Sequence, residues 1–501
     1  MEQHLAVLVV VVPMLTAPLC VLFRSSTAAR FFALVASAAS LAISLRMIDL
    51  IRTTGEPLRY NVGGWAPPFG IELRVTLLCA FVLATITFIS TLVLAFDARG
   101  AAASRIESSR LYLFYSAYLL ALTGLLGMVA TDDLFNVFVF LEISSLASYS
   151  LISMGQDRRA LVAAYSYLLI GTVGATFYLL GVGMFYQMTG TLNMLDLAER
   201  IAPAAHTRTA AVGFGFIMVG LFIKLAVFPL HQWLPNSYTY APAKAGAMLA
   251  GTATKVSYYV LLRVTFTVFG AAFVFDQIGL HHVLLPLSLA AMFVGSAAAM
   301  YQTDLRRLLA YSSIAQVGYM TLGLSMRNED AVTGGVVHLF NHGVTKSGLF
   351  LVIAIVASRV GRWDLSAMAG TARTMPIAYG GFVLGGLSLI GVPGTAGFVS
   401  KWYLVRGAIE SGQAWIAALI LLSSLLAVGY VWKIVEIGFF QPAPESSGAG
   451  PSTAAGNLAM WIPTAVLIGC TVVFGIWTSP TLGTAAAAVE YLLGYGTGSG
   501  L

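Results

Sequence analysis

The sequence predicts an all-α membrane protein with about fourteen transmembrane helices, two of them broken. Three observations lead there. Of the 501 residues 58% are hydrophobic and only 10% are charged, and the mean hydropathy is +0.85. Apolar runs such as 5–23, 111–130 and 458–477 approach or reach the roughly 20 residues that span a bilayer; a membrane β-barrel would show short alternating segments instead. Finally, all six lysines (Lys224, Lys244, Lys255, Lys346, Lys401 and Lys433) lie inside or at the edge of apolar runs. Most arginines sit in polar connections, as Arg24, Arg30, Arg99, Arg105, Arg110, Arg158 and Arg159 do. A soluble protein does the reverse with its lysines. A lysine inside a membrane segment costs about 2.5–3.5 kcal/mol on insertion scales, so it persists where it pairs, lines a watery cavity or carries charge.

The spans are expected at 5–23, 31–51, 72–96, 111–130, 133–154, 160–189, 208–230, 243–270, 280–301, 305–325, 332–358, 376–409, 413–440 and 458–477. The first follows Glu2 and His4 rather than a basic start and has no A-x-A site, so it reads as a retained span and not a signal peptide. Basic connections (Arg24 and Arg30; Arg99, Arg105 and Arg110; Arg158 and Arg159; Arg306 and Arg307; Arg359, Arg362 and Arg373) alternate with acidic ones holding Asp132, Asp133, Asp196, Glu199, Glu329 and Asp330. The positive-inside bias then places a multi-pass chain in the inner (cytoplasmic) membrane with both termini on the outer side. The Gly/Pro/Ser-rich stretch 441–457 is the one linker-like segment.

Composition also excludes functions. Cys20, Cys79 and Cys470 are far apart in apolar runs, with no CxxC or Cys/His cluster, so no iron–sulfur or zinc site is expected. No cofactor or metal is expected at all. The +6 net charge reflects loop arginines without a basic aromatic patch, which argues against nucleic acid as a partner.

Two spans look interrupted. One reads Phe222-Ile223-Lys224-Leu225-Ala226-Val227-Phe228-Pro229; the other contains Gly391-Val392-Pro393-Gly394-Thr395-Ala396-Gly397, followed by Lys401. Each proline frees the carbonyl four residues back, of Leu225 and of Leu389. In a bilayer such backbone survives only beside protein or water. Broken helices at matching positions of two halves indicate inverted repeats with sites near the midplane.

Chemistry is expected where titratable groups lie within the spans. Glu142 is the only carboxylate inside the fifth span, and Ser145 and Tyr149 extend its face at i+3 and i+7. A buried carboxylate ionises when a lysine stands near it, and Lys224 and Lys255 lie in spans seven and eight. His338, His342 and Lys346 recur every four residues, forming one stripe with neighbours roughly 6 Å apart along the axis. Three titratable groups on one face suit a proton file with intervening water. Lys401 reads as a terminal gate, and His231, beside Gln232 and Trp233, as a bridge from the broken helix to solvent. Tyr311, Ser312, Ser313 and Gln316 could hold water or join helices. Lys244 reads as an interfacial anchor and Lys433 as a local partner of Glu436.

These stretches together resemble the antiporter-like proton-translocating subunits shared by respiratory complex I, membrane-bound hydrogenases and Mrp-type cation/proton antiporters. The resemblance rests on 133–142, on Lys224-Leu225-Ala226-Val227-Phe228-Pro229-Leu230-His231-Gln232-Trp233-Leu234-Pro235, on Ala253-Thr254-Lys255, and on 304–316, 341–346 and 391–401, in order across spans five to twelve. Gly63-Gly64-Trp65-Ala66-Pro67-Pro68-Phe69-Gly70-Ile71 and Gly190-Thr191-Leu192-Asn193-Met194 look most like the D-type subunit of Mrp antiporters, although Lys244 stands where a small residue is usual. The resemblance implies helices one to three in 1–110, two inverted five-helix repeats in 111–270 and 280–440, and a last helix and tail in 458–501. It implies that Glu142 and Lys224 form a pair, that Lys255 is a central relay, that the histidines and Lys346 continue it, and that Lys401 opens to one side. It further implies partner membrane subunits of a hetero-oligomeric antiporter or respiratory complex, with protons and monovalent cations as the moving species in a lipid bilayer.

Overall fold

The computed structural model describes residues 2–97, 106, 110–442 and 458–495. Arg99, Arg105 and residues 443–457 of the linker-like stretch lie outside them. Helices α1 (Leu5–Phe23) and α2 (Ser26–Thr54) lead into a two-stranded sheet, β1 (Leu58–Asn61) and β2 (Glu72–Val75). The strands run antiparallel, with Leu58 opposite Val75 and Asn61 opposite Glu72. This hairpin corrects two expectations: the chain is not purely helical, and the third span starts at Leu77 rather than 72. Residues 72–75 alternate polar and apolar, the period of a strand, and the Thr76 hydroxyl then accepts the Cys79 amide at 3.3 Å to start α3 (Leu77–Ala95).

The chain continues through α4 (Leu111–Ala130), α5 (Leu134–Ser153), α6 (Arg159–Thr189), the short α7 (Met194–Ile201), α8 (Arg208–Leu225), α9 (Trp233–Tyr240) and α10 (Ala243–Arg263). Then come α11 (Leu280–Met300), α12 (Leu305–Ser325), α13 (Glu329–Val360), α14 (Pro376–Ile390), α15 (Ala396–Glu410), α16 (Ala414–Phe440), α17 (Leu458–Ile476) and α18 (Ser479–Tyr495). Among the described residues, 11 helices are long and apolar enough to cross a membrane. Both interruptions expected from the prolines are present, between α8 and α9 and between α14 and α15. The residues after 477, expected as a tail, instead form α18, a helix packed on α3 and α13.

Helices α10 and α13 form the centre. Residues 331–357 of α13 are all buried, and in α10 every residue except Ala253 is. They pack antiparallel through small residues: a Cβ on Gly251 would stand 2.0 Å from the Ser347 hydroxyl and 3.2 Å from the Gly343 carbonyl. Close approach through glycine and serine is how helices associate where lipid offers no hydrophobic drive. Two similar joints flank this centre. Asp133 bridges to Asn193 just before α5, and Asp304 bridges to Asp364 just before α12. Each aspartate also caps its helix, accepting the Asn136 amide at 2.7 Å and the Arg306 amide at 2.8 Å.

Asp132, expected in a solvated acidic connection, is fully buried. Only three residues join α4 to α5, and two other segments cover them. The Asp132 amide donates to the Glu72 carbonyl at 2.9 Å, and the Met194 amide donates to the Asp132 carbonyl at 2.8 Å. Arg263, at the end of α10, pairs with the Asp132 carboxylate and donates to the Thr131 carbonyl at 2.7 Å. Removing one partner of a buried pair leaves an uncompensated charge. Arg263→Ala is therefore expected to destabilise the protein by about 3–5 kcal/mol, read as a lower melting temperature of the purified protein. Replacing both partners together, Arg263→Met with Asp132→Leu, should recover most of that loss.

Candidate functional site

The site begins where α5, α6 and α8 meet. Glu142 on α5 lies 3.8 Å from the Lys224 ammonium. That ammonium donates more closely to Ser145 Oγ, at 2.7 Å, and to the Tyr149 hydroxyl, at 3.4 Å. The stripe at i+3 and i+7 thus holds the lysine, and the carboxylate stands at ion-pair distance without a hydrogen bond. Glu142 keeps 22% of its side-chain exposure while Lys224 keeps 5%, so the pair has one half-open end.

Two residues not singled out in the sequence shape this pocket. Gly171 on α6 leaves room for both polar groups: a Cβ there would lie 2.0 Å from the Tyr149 hydroxyl and 3.3 Å from Lys224 Nζ. Tyr167, one turn earlier, packs edge-on against Tyr149 at 4.6 Å and stacks on Trp233 of α9 at 3.9 Å. Trp233 Nε1 in turn donates at 2.8 Å to the Ile223 carbonyl, beside Lys224. The first break is therefore pinned through Ile223 rather than through the Leu225 carbonyl. Ala226 closes α8 in the left-handed region at φ 59. His231 lies in the turn that follows, half-buried and stacked on Phe228 at 5.2 Å. Among the described residues no hydrogen bond joins it to Lys224 or Lys255; it lies beside the first break.

Lys255 is fully buried on α10, where its ammonium donates to the Ala250 carbonyl at 2.5 Å and to Thr254 Oγ1 at 3.3 Å. His338, His342 and Lys346 follow on α13, the helix packed against α10. The two imidazoles lie nearly parallel, 5.7 Å apart, one turn from each other. His338 Nδ1 shares a 2.8 Å hydrogen bond with Ser400 Oγ, whereas its Nε2 and both nitrogens of His342 are buried without a partner among the described residues. Buried polar atoms of this kind are normally satisfied by ordered water. Lys346 donates to the Leu309 carbonyl at 2.9 Å and to the Ser312 hydroxyl.

At the second break the expected proline effect is used directly. Lys401 donates to the Leu389 carbonyl at 3.0 Å, to the Ile390 carbonyl at 2.9 Å and to Ser424 Oγ at 2.8 Å. Gly391, at φ 88, both permits the turn and leaves room, since a Cβ there would stand 2.8 Å from Lys401 Cδ. Tyr319 lies beneath the Lys401 ammonium at 4.4 Å and faces His338 at 5.8 Å, so it joins the histidine stripe to the last lysine. Among the four polar residues expected to hold water in α12, Ser312 and Gln316 face this interior; Gln316 Nε2 reaches the Leu389 carbonyl at 3.5 Å.

Two lysine assignments need correction. Lys244 is buried, not an interfacial anchor: it donates to the Tyr115 hydroxyl at 3.3 Å and to the Leu94 carbonyl at 3.5 Å, tying α10 to α4 and α3. Lys433 does not pair with Glu436. It donates to the carbonyls of Met300 and Gln302 at 2.8 and 2.9 Å, capping the end of α11.

These features define a class, the multi-pass membrane proteins that hold ionisable side chains in their interior at breaks in their helices. The chain belongs to the NADH:quinone oxidoreductase/Mrp antiporter membrane family, whose sequence profile matches residues 131–427. It is 43% identical over 450 residues to the N-type subunit of a Desulforudis audaxviator NADH-quinone oxidoreductase, covering 89% of this chain and 88% of that one. It is 29% identical over 489 residues to the D-type subunit of the Bacillus subtilis Na⁺/H⁺ antiporter, covering 97% of each. Its fold matches a chain of the Mrp complex from Dietzia sp. with a TM-score of 0.88, at 26% identity over 98% of this chain and 97% of that one.

A methyl group at 171 would push the Tyr149 hydroxyl away from Lys224. Gly171→Ala is expected to lower transport by the assembled complex about tenfold, with the amount of complex recovered from membranes unchanged. Transport assays on vesicles, with the yield measured in parallel, check this.

Proposed function

We propose that the chain is the proton-translocating subunit of a multisubunit monovalent cation (Na⁺ or K⁺)/proton antiporter. Protons enter at Glu142, pass to Lys224 and Lys255, cross the His338/His342/Lys346 stripe and leave at Lys401, with His231 in a supporting place beside the first break. The observation that carries this reading is the way the amines are held. Lys224 has a carboxylate at 3.8 Å, whereas Lys255, Lys346 and Lys401 are bonded only to carbonyls and hydroxyls among the described residues. Amines held by neutral acceptors can give up and regain a proton, which a guanidinium cannot do. The half-open Glu142 supplies the point of access. Cation exchange is assigned to the assembled complex, with other membrane subunits as partners, as the likeness to the D-type subunit of a Na⁺/H⁺ antiporter supports.

The finer architecture follows the same reading. Adding α10, α12 and the broken pair α14–α15 to the 11 apolar helices gives about fourteen spans. Residues 111–270 and 280–440 form two inverted five-helix repeats, between helices one to three in 1–110 and a C-terminal part in 458–501. The matching aspartate bridges before α5 and α12 support this, as does the broken helix that follows in each half. We place both termini on the outer side of the inner membrane.

A second reading, a proton-pumping subunit of an NADH–quinone oxidoreductase or hydrogenase-type complex, is favoured by the relative at 43% identity. This chain would move protons there without carrying a redox group. Mass spectrometry of the native complex separates the two: iron–sulfur subunits favour the redox assembly, and small membrane subunits alone favour the antiporter. For the proton path itself, Glu142→Gln and Lys224→Ala are each expected to reduce cation-driven proton movement at least about a hundredfold in vesicles containing the whole complex. Wild-type rates in both variants would sink the proposal.

A further inference from the structure

We propose that the Tyr258 hydroxyl, together with buried water, is the relay step between Lys255 and His338 that joins the two halves of the path. The inference rests on the proton-translocation reading above.

A gap exists at this point. The Lys255 ammonium is turned toward the Ala250 carbonyl and Thr254, and makes no hydrogen bond to either histidine. His338 Nδ1 is engaged with Ser400, and its Nε2 has no partner among the described residues. Tyr258 is carried on α10 with Lys255, and its hydroxyl reaches α13, the helix that carries His338. It follows Lys255 by three residues on α10, so the two share a face. Its hydroxyl lies against Gly335 on α13, three residues before His338: a Cβ on Gly335 would stand 2.3 Å from the Tyr258 oxygen. A glycine at this position lets the hydroxyl sit against bare backbone, beside the turn that carries the histidine.

Most buried tyrosine hydroxyls of this core are bonded; among the described residues those of Tyr258 and Tyr430 are not. Tyr238 donates to the Leu249 carbonyl at 3.1 Å, Tyr259 to the Val129 carbonyl at 3.0 Å, and Tyr118 lies 3.3 Å from the Ser90 carbonyl. Tyr258 is fully buried, and its hydroxyl has no partner among the described residues. Tyrosine oxygens in such a position are normally bonded to protein or to water. Two unpartnered polar atoms, one a donor and acceptor and the other an imidazole nitrogen, on adjoining turns of two packed helices, make a place for such water.

The step balances without any further reactant. A proton leaves the Lys255 ammonium for a water, and that water passes a proton to the phenol oxygen. The phenol releases its own proton, directly or through a second water, to His338 Nε2. Lys255 ends as a neutral amine, His338 as an imidazolium bonded to Ser400, and Tyr258 is unchanged.

The test measures cation-driven proton movement in vesicles holding the whole complex, in H₂O and in D₂O, for the wild type, Tyr258→Phe, Gly335→Ala and Lys255→Ala. The expected result is a loss of at least about tenfold in Tyr258→Phe, with an increased solvent isotope effect, unchanged melting temperature and unchanged recovery of the complex. Gly335→Ala should show a similar loss, because its methyl group displaces the hydroxyl without removing it. A Tyr258→Phe complex with the wild-type rate and isotope effect, beside an inactive Lys255→Ala, overturns this inference alone. A loss in Tyr258→Phe that comes with a lower melting temperature and lost assembly assigns Tyr258 to packing and also overturns it. An active Lys255→Ala overturns the relay as a whole.

Discussion

The interior of this protein depends on one constraint: an ammonium group inside a bilayer must find acceptors, and three of the four amines in the proposed path find only neutral ones. Lys401 takes the carbonyls of Leu389 and Ile390, Lys346 the Leu309 carbonyl and the Ser312 hydroxyl, and Lys255 the Ala250 carbonyl and Thr254. In a regular helix each carbonyl already accepts the amide four residues on and has only its second lone pair to offer, as Ala250 and Leu309 do, whereas a break leaves a carbonyl wholly free. The break after Ile390 therefore serves the lysine as much as it interrupts the helix. Gly391 turns the chain, Pro393 withholds the amide that Leu389 would otherwise receive, and Lys401 enters the opening. Non-helical backbone at membrane depth is tolerated where protein covers it, which is the situation here.

In the proposed path the segments after the two capping aspartates differ, and the difference would give the path a direction. Glu142 follows the capping Asp133 by the same nine residues that separate Ser313 from the capping Asp304. The first half thus has a carboxylate where the second has a serine whose hydroxyl donates to the Leu309 carbonyl at 3.0 Å. In the proposed path, the carboxylate at one end of a line of amines is where a proton is first held. Among the described residues, the rest of the proposed line is built from imidazoles and amines with neutral partners.

Much of this was legible in the sequence because it depends on local spacing. Ser145 and Tyr149 share a helix face with Glu142, His338, His342 and Lys346 share another, and Pro393 points to the carbonyl that Lys401 uses; each follows from residues within three turns of one another. What was missed depends on partners distant in sequence. Gly171 has no meaning until α5 and α8 supply Tyr149 and Lys224, nor does Gly335 until α10 supplies Tyr258. The Asp132–Arg263 pair joins residues separated by 131 positions, so Asp132 looked like an ordinary loop acid. Lys244 and Lys433 were misread for the same reason, since their acceptors lie on α3, α4 and α11. The strand at 72–75 and helix α18 were lost because short alternation and an alanine-rich stretch both fall beneath a signal tuned to long apolar runs.

The central claim is that the line from Glu142 to Lys401 is wet enough to carry protons. A density map of the assembled complex that resolves ordered water tests it most directly. The account predicts water at His338 Nε2, at both nitrogens of His342 and at the Tyr258 hydroxyl, forming a connected file between Lys224 and Lys401. A dry interior, with these atoms bonded to one another or to protein alone, would contradict it.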